Sequence, residues 1–131
     1  MIGEYFMASF EEHCNDCERL LGDRCEEVNR WLDACFNDFG PLHRFARHHW
    51  RGVDEAAKLF SIDASSYSLA SKAAAIHILK DCGFVPKARD WAEQRVDSLG
   101  ILPDSGFKGS WNSLEFDKSA RKLLRNMEPC D

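Results

Sequence analysis

LASKAAAIHILKDCG, residues 69–83, decides the fold. Its apolar residues run nearly all round a helix instead of along one stripe, which predicts a helix buried on every side. Two polar residues interrupt it. His77 and Asp81 stand four apart and share one face, which Ala70 and Ala74 continue. A carboxylate near the end of such a helix is costly unless a cation, a set of backbone donors, or a His or Arg meets it. Gly83 ends the helix. A helix buried all round needs other helices to cover it.

The flanking sequence supplies them. Towards the N-terminus, Phe6, Phe10, Cys14, Cys17 and Leu21 follow helical spacing, and Gly22 stops that run before Asp23 caps the next. Cys25, Val28, Leu32, Cys35 and Phe39 form a second stripe, ended by Gly40-Pro41. Pro41 opens a third helix with Leu42, Ala46, His49, Val53, Ala56 and Phe60 on one face. SIDASSYS, residues 61–68, reads as a loop. After Gly83, Pro86 opens a fifth helix with Ala88, Trp91, Ala92, Val96 and Leu99 facing inward. Asn112 caps a last helix, about 112–127, with Glu115 completing the capping pair and Phe116, Ala120, Leu123 and Met127 buried. No strand-like alternation and no internal repeat is present. The expectation is an all-α, single-domain bundle of about six helices over residues 1–131, with a buried fourth helix.

Composition sets outer bounds. A chain of 131 residues buries roughly two-thirds of its unfolded surface, enough for a core without disulfides. A net charge of −5 argues against coating nucleic acid, which needs a basic face, though a small basic patch is compatible with it. No run approaches the roughly 18 to 20 apolar residues of a membrane span. The start, MIGEYFMASFEEHC, has Glu4 early and no basic region ahead of its apolar residues, so it does not read as a secretory signal. A soluble, cytoplasmic protein is expected.

Six cysteines invite a metal or redox reading, and Cys14 and Cys17 form a C-x-x-C beside His13. No second C-x-x-C completes a zinc site, and no strand precedes this one as a thioredoxin-like motif requires. Cys14, Cys17, Cys25 and Cys35 fall on buried stripes, so packing is the favoured reading. Cys130 lies in the tail.

HRFARHHWRG, residues 43–52, holds three of the five histidines. On a regular helix His49 faces the core, His48 lies about a hundred degrees round at its margin, and His43 with Arg47 faces a more solvated side. Two readings follow. In one, His48 or His49 meets His77 and Asp81, with Asp33 or an edge residue, His13, as weaker further ligands. Imidazoles with carboxylates suit zinc, iron or manganese, and an open position on such a metal activates water for hydrolysis. In the other, the histidines are core residues bonded to each other or to Asp81, with Arg47 or Arg51 neutralising the acid. The packing reading carries more weight, because the set lacks a diagnostic spacing such as H-E-x-x-H.

HRFARHHWRGVDEAAKLF followed by AAIHILKDCGFVPKARDW resembles a small uncharacterised domain of bacterial and phage proteins. The matching positions are His43, Arg44, Arg47, His48, His49 and Gly52, then His77, Asp81, Gly83, Pro86, Asp90 and Trp91, with Trp31 and Asp33 upstream. The resemblance covers about residues 13–91 and implies a grouping, not an activity. It favours treating His43, His48, His49, His77 and Asp81 as one set, with His43, Arg47, Asp90 and Trp91 as a supporting polar network. Where the resemblance implies a histidine before the tryptophan element, this chain has Asn29. A ligand at that position would then be missing.

Two function classes stand after this reading. One is a helical protein with a His/Asp site for a divalent metal, hydrolytic in its fuller form. The other is a non-enzymatic, acidic interaction module, a phage-associated inhibitor or adaptor, whose contact faces would carry Glu11, Glu12, Asp16, Glu18, Glu26 and Glu27. A protein partner or a homodimer suits either, while nucleic acid and membrane do not.

Overall fold

The central element is α5, Ala64–Cys82, in a computed structural model that describes residues 8–34, 44–93, 107 and 111–127. Around it stand α1 (Phe10–Leu21), α2 (Glu26–Asp33), α3 (Arg44–Arg47), α4 (Trp50–Phe60), α6 (Ala88–Glu93) and α7 (Ser113–Asn126). The architecture is all-helical; the described residues contain no strand. α5 packs against α1, α2, α4 and α7. Ala70, Ala73, Ala74 and Ala75 are buried with Ile76, Ile78, Leu79 and Cys82, as a helix covered on all sides requires. Small residues on several faces let neighbouring backbones approach.

The caps explain the boundaries. Ser9 accepts from the Glu12 amide at 3.1 Å while Glu12 accepts from the Ser9 amide at 3.3 Å, so α1 starts on a capping box. Gly22, at φ 82, closes it in the left-handed conformation. Asp23 does not cap α2 as expected. Its carboxylate accepts the Cys25 amide at 2.8 Å, and Cys25, at φ 51, holds the cap position. Asn112 Oδ1 accepts from Leu114 and Glu115 and starts α7.

Three further expectations need correction. Residues 61–68 are not a loop throughout: α5 starts at Ala64, where Asp63 accepts from the Ser66 amide at 2.8 Å and Ser66 Oγ accepts from the Asp63 amide at 3.1 Å. Small polar residues that look like a turn here form a cap. Ala92 is exposed instead of facing inward, because α6 is short and buries chiefly Trp91. The third predicted helix is not continuous. It breaks at His48-His49 into α3 and α4, with His49 in extended geometry as the N-cap of α4.

That break has a steric basis. Arg47 ends α3 with its carbonyl oxygen against Gly52, and a Cβ there would lie 1.8 Å from that oxygen. Only glycine permits so close a backbone approach. The segment after α5 then holds the kink in place. The Trp50 amide donates to the Pro86 carbonyl at 2.8 Å, and the Trp91 indole donates to the His48 carbonyl at 2.7 Å.

The remaining sequence expectations divide at the limits of the described residues. Cys14, Cys17 and Cys82 are buried, while Cys35 and Cys130 lie outside the described residues. So do Phe6, Phe39, His43, Val96 and Leu99. Among the described residues, no helix is long and apolar enough to cross a membrane.

Candidate metal centre

Three helices and the break between α3 and α4 deliver polar side chains to one buried point. His77 and Asp81 come from α5, one turn apart. His13 comes from α1, Asp33 from the end of α2, and His48 from the break before α4. His13, His48, His77 and Asp81 are almost fully buried, whereas the Asp33 side chain is 21% exposed. The accessible side of the cluster is therefore at Asp33.

The geometry centres on Asp81. Its Oδ1 lies 3.2 Å from His13 Nε2, and its Oδ2 lies 3.1 Å from His48 Nε2 and 3.3 Å from His77 Nε2. Asp33 Oδ1 lies 3.2 Å from His77 Nε2 and 3.6 Å from His48 Nε2. The His13 and His77 rings stack at 3.5 Å with planes 11° apart, presenting their Nε2 atoms side by side to the two oxygens of Asp81. His48 meets His77 edge to face at 5.1 Å. Ligand atoms of His13, Asp33, His77 and Asp81 all fall within 4.8 Å of one another.

Asn29 determines what His77 offers. It is fully buried, and its Nδ2 donates to the Arg24 and Cys25 carbonyls at 3.0 and 3.1 Å. Those carbonyls can only accept, so the amide oxygen must face the other way. It lies 2.8 Å from His77 Nδ1, which therefore carries a proton and donates it. His77 Nε2 then faces Asp33 Oδ1 and Asp81 Oδ2 either with a second proton or with a lone pair. A bare lone pair against two carboxylate oxygens is repulsive, so a cation belongs between them: a proton or a metal ion. Fixing one ring nitrogen through a hydrogen bond so that the other can ligate is the usual outer-shell device of metal sites.

His13 adds a second indication. Although buried, neither of its ring nitrogens makes a hydrogen bond with a described residue, and Nε2 meets Asp81 Oδ1 out of hydrogen-bonding alignment. A buried polar atom without a partner is expensive, and a third atom between it and the carboxylate would satisfy both. The spacing suits one. Donors about 2.0–2.2 Å from a tetrahedral ion stand about 3.3–3.6 Å apart, close to the separations here.

Without a metal, electrostatics keep the cluster charged. Burial disfavours the His77 cation, but the Asp33 charge and hydrogen bonds to Asp33 and Asp81 outweigh it and push the pKa up to about 10. Burial pushes His48 down to about 3 against the pull of Asp81. Burial alone would raise the Asp81 carboxyl, yet His13, His48 and His77 hold it well below the usual carboxylate range. His48 is thus neutral at neutral pH and shares its Nε2 with an ionised Asp81.

The sequence-predicted residues separate here. His48, His77 and Asp81 converge, and so do the two expected only as weaker additions, His13 and Asp33. His49 does not join them, correcting the expectation from an unbroken helix. Its Nδ1 accepts from the Gly52 amide at 3.1 Å, and its Nε2 pairs with the Ala46 carbonyl at 3.2 Å. Arg47 does not reach the acid; it donates to the Trp31 carbonyl and lies 4.2 Å over the Trp31 ring. Asp90 accepts the Lys87 amide locally, and Trp91 supports the site through the His48 carbonyl.

Asn29, which sets the His77 tautomer, is the cluster contact that sequence reasoning set aside. It stands four before Asp33 on α2, so both side chains face α5. His13 likewise stands four before Cys17, on the buried face. Both spacings were visible.

Searches among curated proteins and among solved structures give no match. All the converging residues lie within residues 8–98, which match a family described as a domain of unknown function (DUF6915), and the chain belongs to that family.

Proposed function

We propose that the His/Asp cluster binds one divalent transition metal, with His13, Asp33, His77 and Asp81 as ligands. The observation that carries this reading is the committed Nδ1 proton of His77, which leaves Nε2 aimed between two carboxylate oxygens. His48 donates to Asp81 Oδ2 and orients that carboxylate, or completes a five-coordinate set. Three imidazoles with two carboxylates suit zinc, iron or manganese. Asp33, the exposed member, marks the side from which water and substrate arrive. A metal there would lower the pKa of bound water and support hydrolysis, the activity we assign to the site.

The acidic interaction module finds less support. Glu11 and Glu26 are tied to Arg24, and Asp16 to Arg19 and Lys80, so much of that acidic face is spent on its own chain.

Elemental analysis of protein purified without a histidine tag tests the metal. About one equivalent of zinc, iron or manganese is expected, lost in Asp81→Asn and in His13→Ala. Wild-type protein that stays metal-free after incubation with each ion, and shows no thermal shift, rejects the proposal.

A further inference from the structure

Several described cations of this acidic chain are tied to carboxylates. Arg19 binds Asp16 and Asp117, Arg24 binds Glu11 and Glu26, Lys58 binds Asp54, and Lys80 binds Asp16. Arg51, Lys87 and Arg89 differ. They are exposed, have no ion-pair partner among the described residues, and line one open groove of about 410 Å³ with Trp50 and Ala88. Trp50 is 39% exposed there.

The groove is held open by its own backbone contacts. The Trp50 amide is fixed to the Pro86 carbonyl, and the Lys87 amide to the Asp90 carboxylate at 2.9 Å. Of the nearby acids, Asp90 caps its own turn and Asp54 binds Lys58 and Tyr67, while Glu55 is exposed four residues after Arg51. Three like charges held at one groove repel one another, and an anion relieves this. Two guanidinium forks suit the oxygens of a phosphate, and an ammonium adds a third point of charge. An exposed indole offers a face on which a planar ring stacks. The volume lies within the range of small-ligand sites, about 300–1,000 Å³.

We propose that this groove binds a nucleoside phosphate, its phosphate on Arg51, Lys87 and Arg89 and its base on Trp50. The groove shares no side chain with the His/Asp cluster, so it stands whether or not that cluster holds a metal. A net charge of −5 disfavours a long nucleic-acid strand as the occupant.

The test uses the full chain, stripped of metal by chelation, titrated with adenosine monophosphate and followed by calorimetry and tryptophan fluorescence. Saturable binding is expected, with inorganic phosphate and adenosine each at least about tenfold weaker. The double variant Arg51→Gln/Arg89→Gln should weaken the nucleotide at least about tenfold. Trp50→Leu should reduce it to the level of inorganic phosphate, while Trp50→Phe, which keeps a ring, retains part of the difference. Circular dichroism confirms that each variant is folded. The proposal is overturned if millimolar nucleotide does not bind or if these variants bind it like wild type. Tighter binding of an oligothymidylate than of the mononucleotide also overturns it, in favour of a nucleic-acid strand.

Discussion

Metal binding at the cluster should displace a proton, and the structure says which one. His77 Nδ1–H stays on Asn29, so the proton displaced is the one on Nε2. With a pKa of about 10, His77 is cationic at neutral pH, and a metal ligand must be neutral imidazole. His48, at about 3, has no second proton to give. His77 should therefore contribute about one proton per metal at pH 7.5, and apparent affinity should rise about tenfold per pH unit through that release. Stability follows the same linkage. In the metal-free protein the raised His77 pKa contributes stability that is complete below its unfolded value near 6.5 and is lost as pH rises through about 10. Metal-induced stabilisation should grow over the same window. At a free concentration of 100 Kd a metal adds about 2.7 kcal/mol. For 131 residues the unfolding entropy is about 0.28 kcal/mol/K, so Tm should rise by about 10 °C. Calorimetric titration with zinc in buffers of different ionisation enthalpy counts the proton, and scanning calorimetry gives the shift. Zinc binding with no proton released between pH 7 and 8 would refute the assignment of His77.

Three further outcomes follow from particular contacts. Asn29→Leu removes the acceptor for His77 Nδ1 and should weaken metal affinity about 10–100-fold, measured by a competitive chelator titration. Gly52→Ala places a Cβ against the Arg47 carbonyl and should cost about 3 kcal/mol, seen as a Tm lower by about 10 °C. His49→Ala should lose the α4 cap, about 1 kcal/mol by denaturant unfolding, and leave metal content unchanged; loss of metal in this variant would return His49 to the site.

The stripes of residues 10–33 and 69–82 were legible because each helix buries a continuous face, and periodicity reports that directly. α5 was readable as central since its apolar residues leave no solvent face, and His77 and Asp81 stand out against them. The other partners were harder to see. His48 and His49 are adjacent, and helical phase chooses between them only if the helix is regular. Here the Arg47 carbonyl meets Gly52, the chain kinks, and the phase resets, so His48 turns inward and His49 becomes a cap. A glycine three residues after a histidine carries no periodic signal. Its role appears only when the two backbones approach.

Asn29 shows a different limit. Judged by its own chemistry it is a poor metal ligand, and the resemblance marked it as a missing histidine. Its importance is that its partners remove ambiguity from His77 one step at a time. Two backbone carbonyls fix the amide, the amide fixes the imidazole tautomer, and the tautomer decides what Nε2 can present to Asp33 and Asp81. If packing alone were at stake, a buried Asp81 meeting several imidazoles would be a costly way to fix helix register, since an apolar residue there avoids the desolvation of a charge. The cost is understandable if the same arrangement exchanges one proton for a metal ion, because the ion compensates both carboxylates and gives His13 Nε2 the partner it lacks.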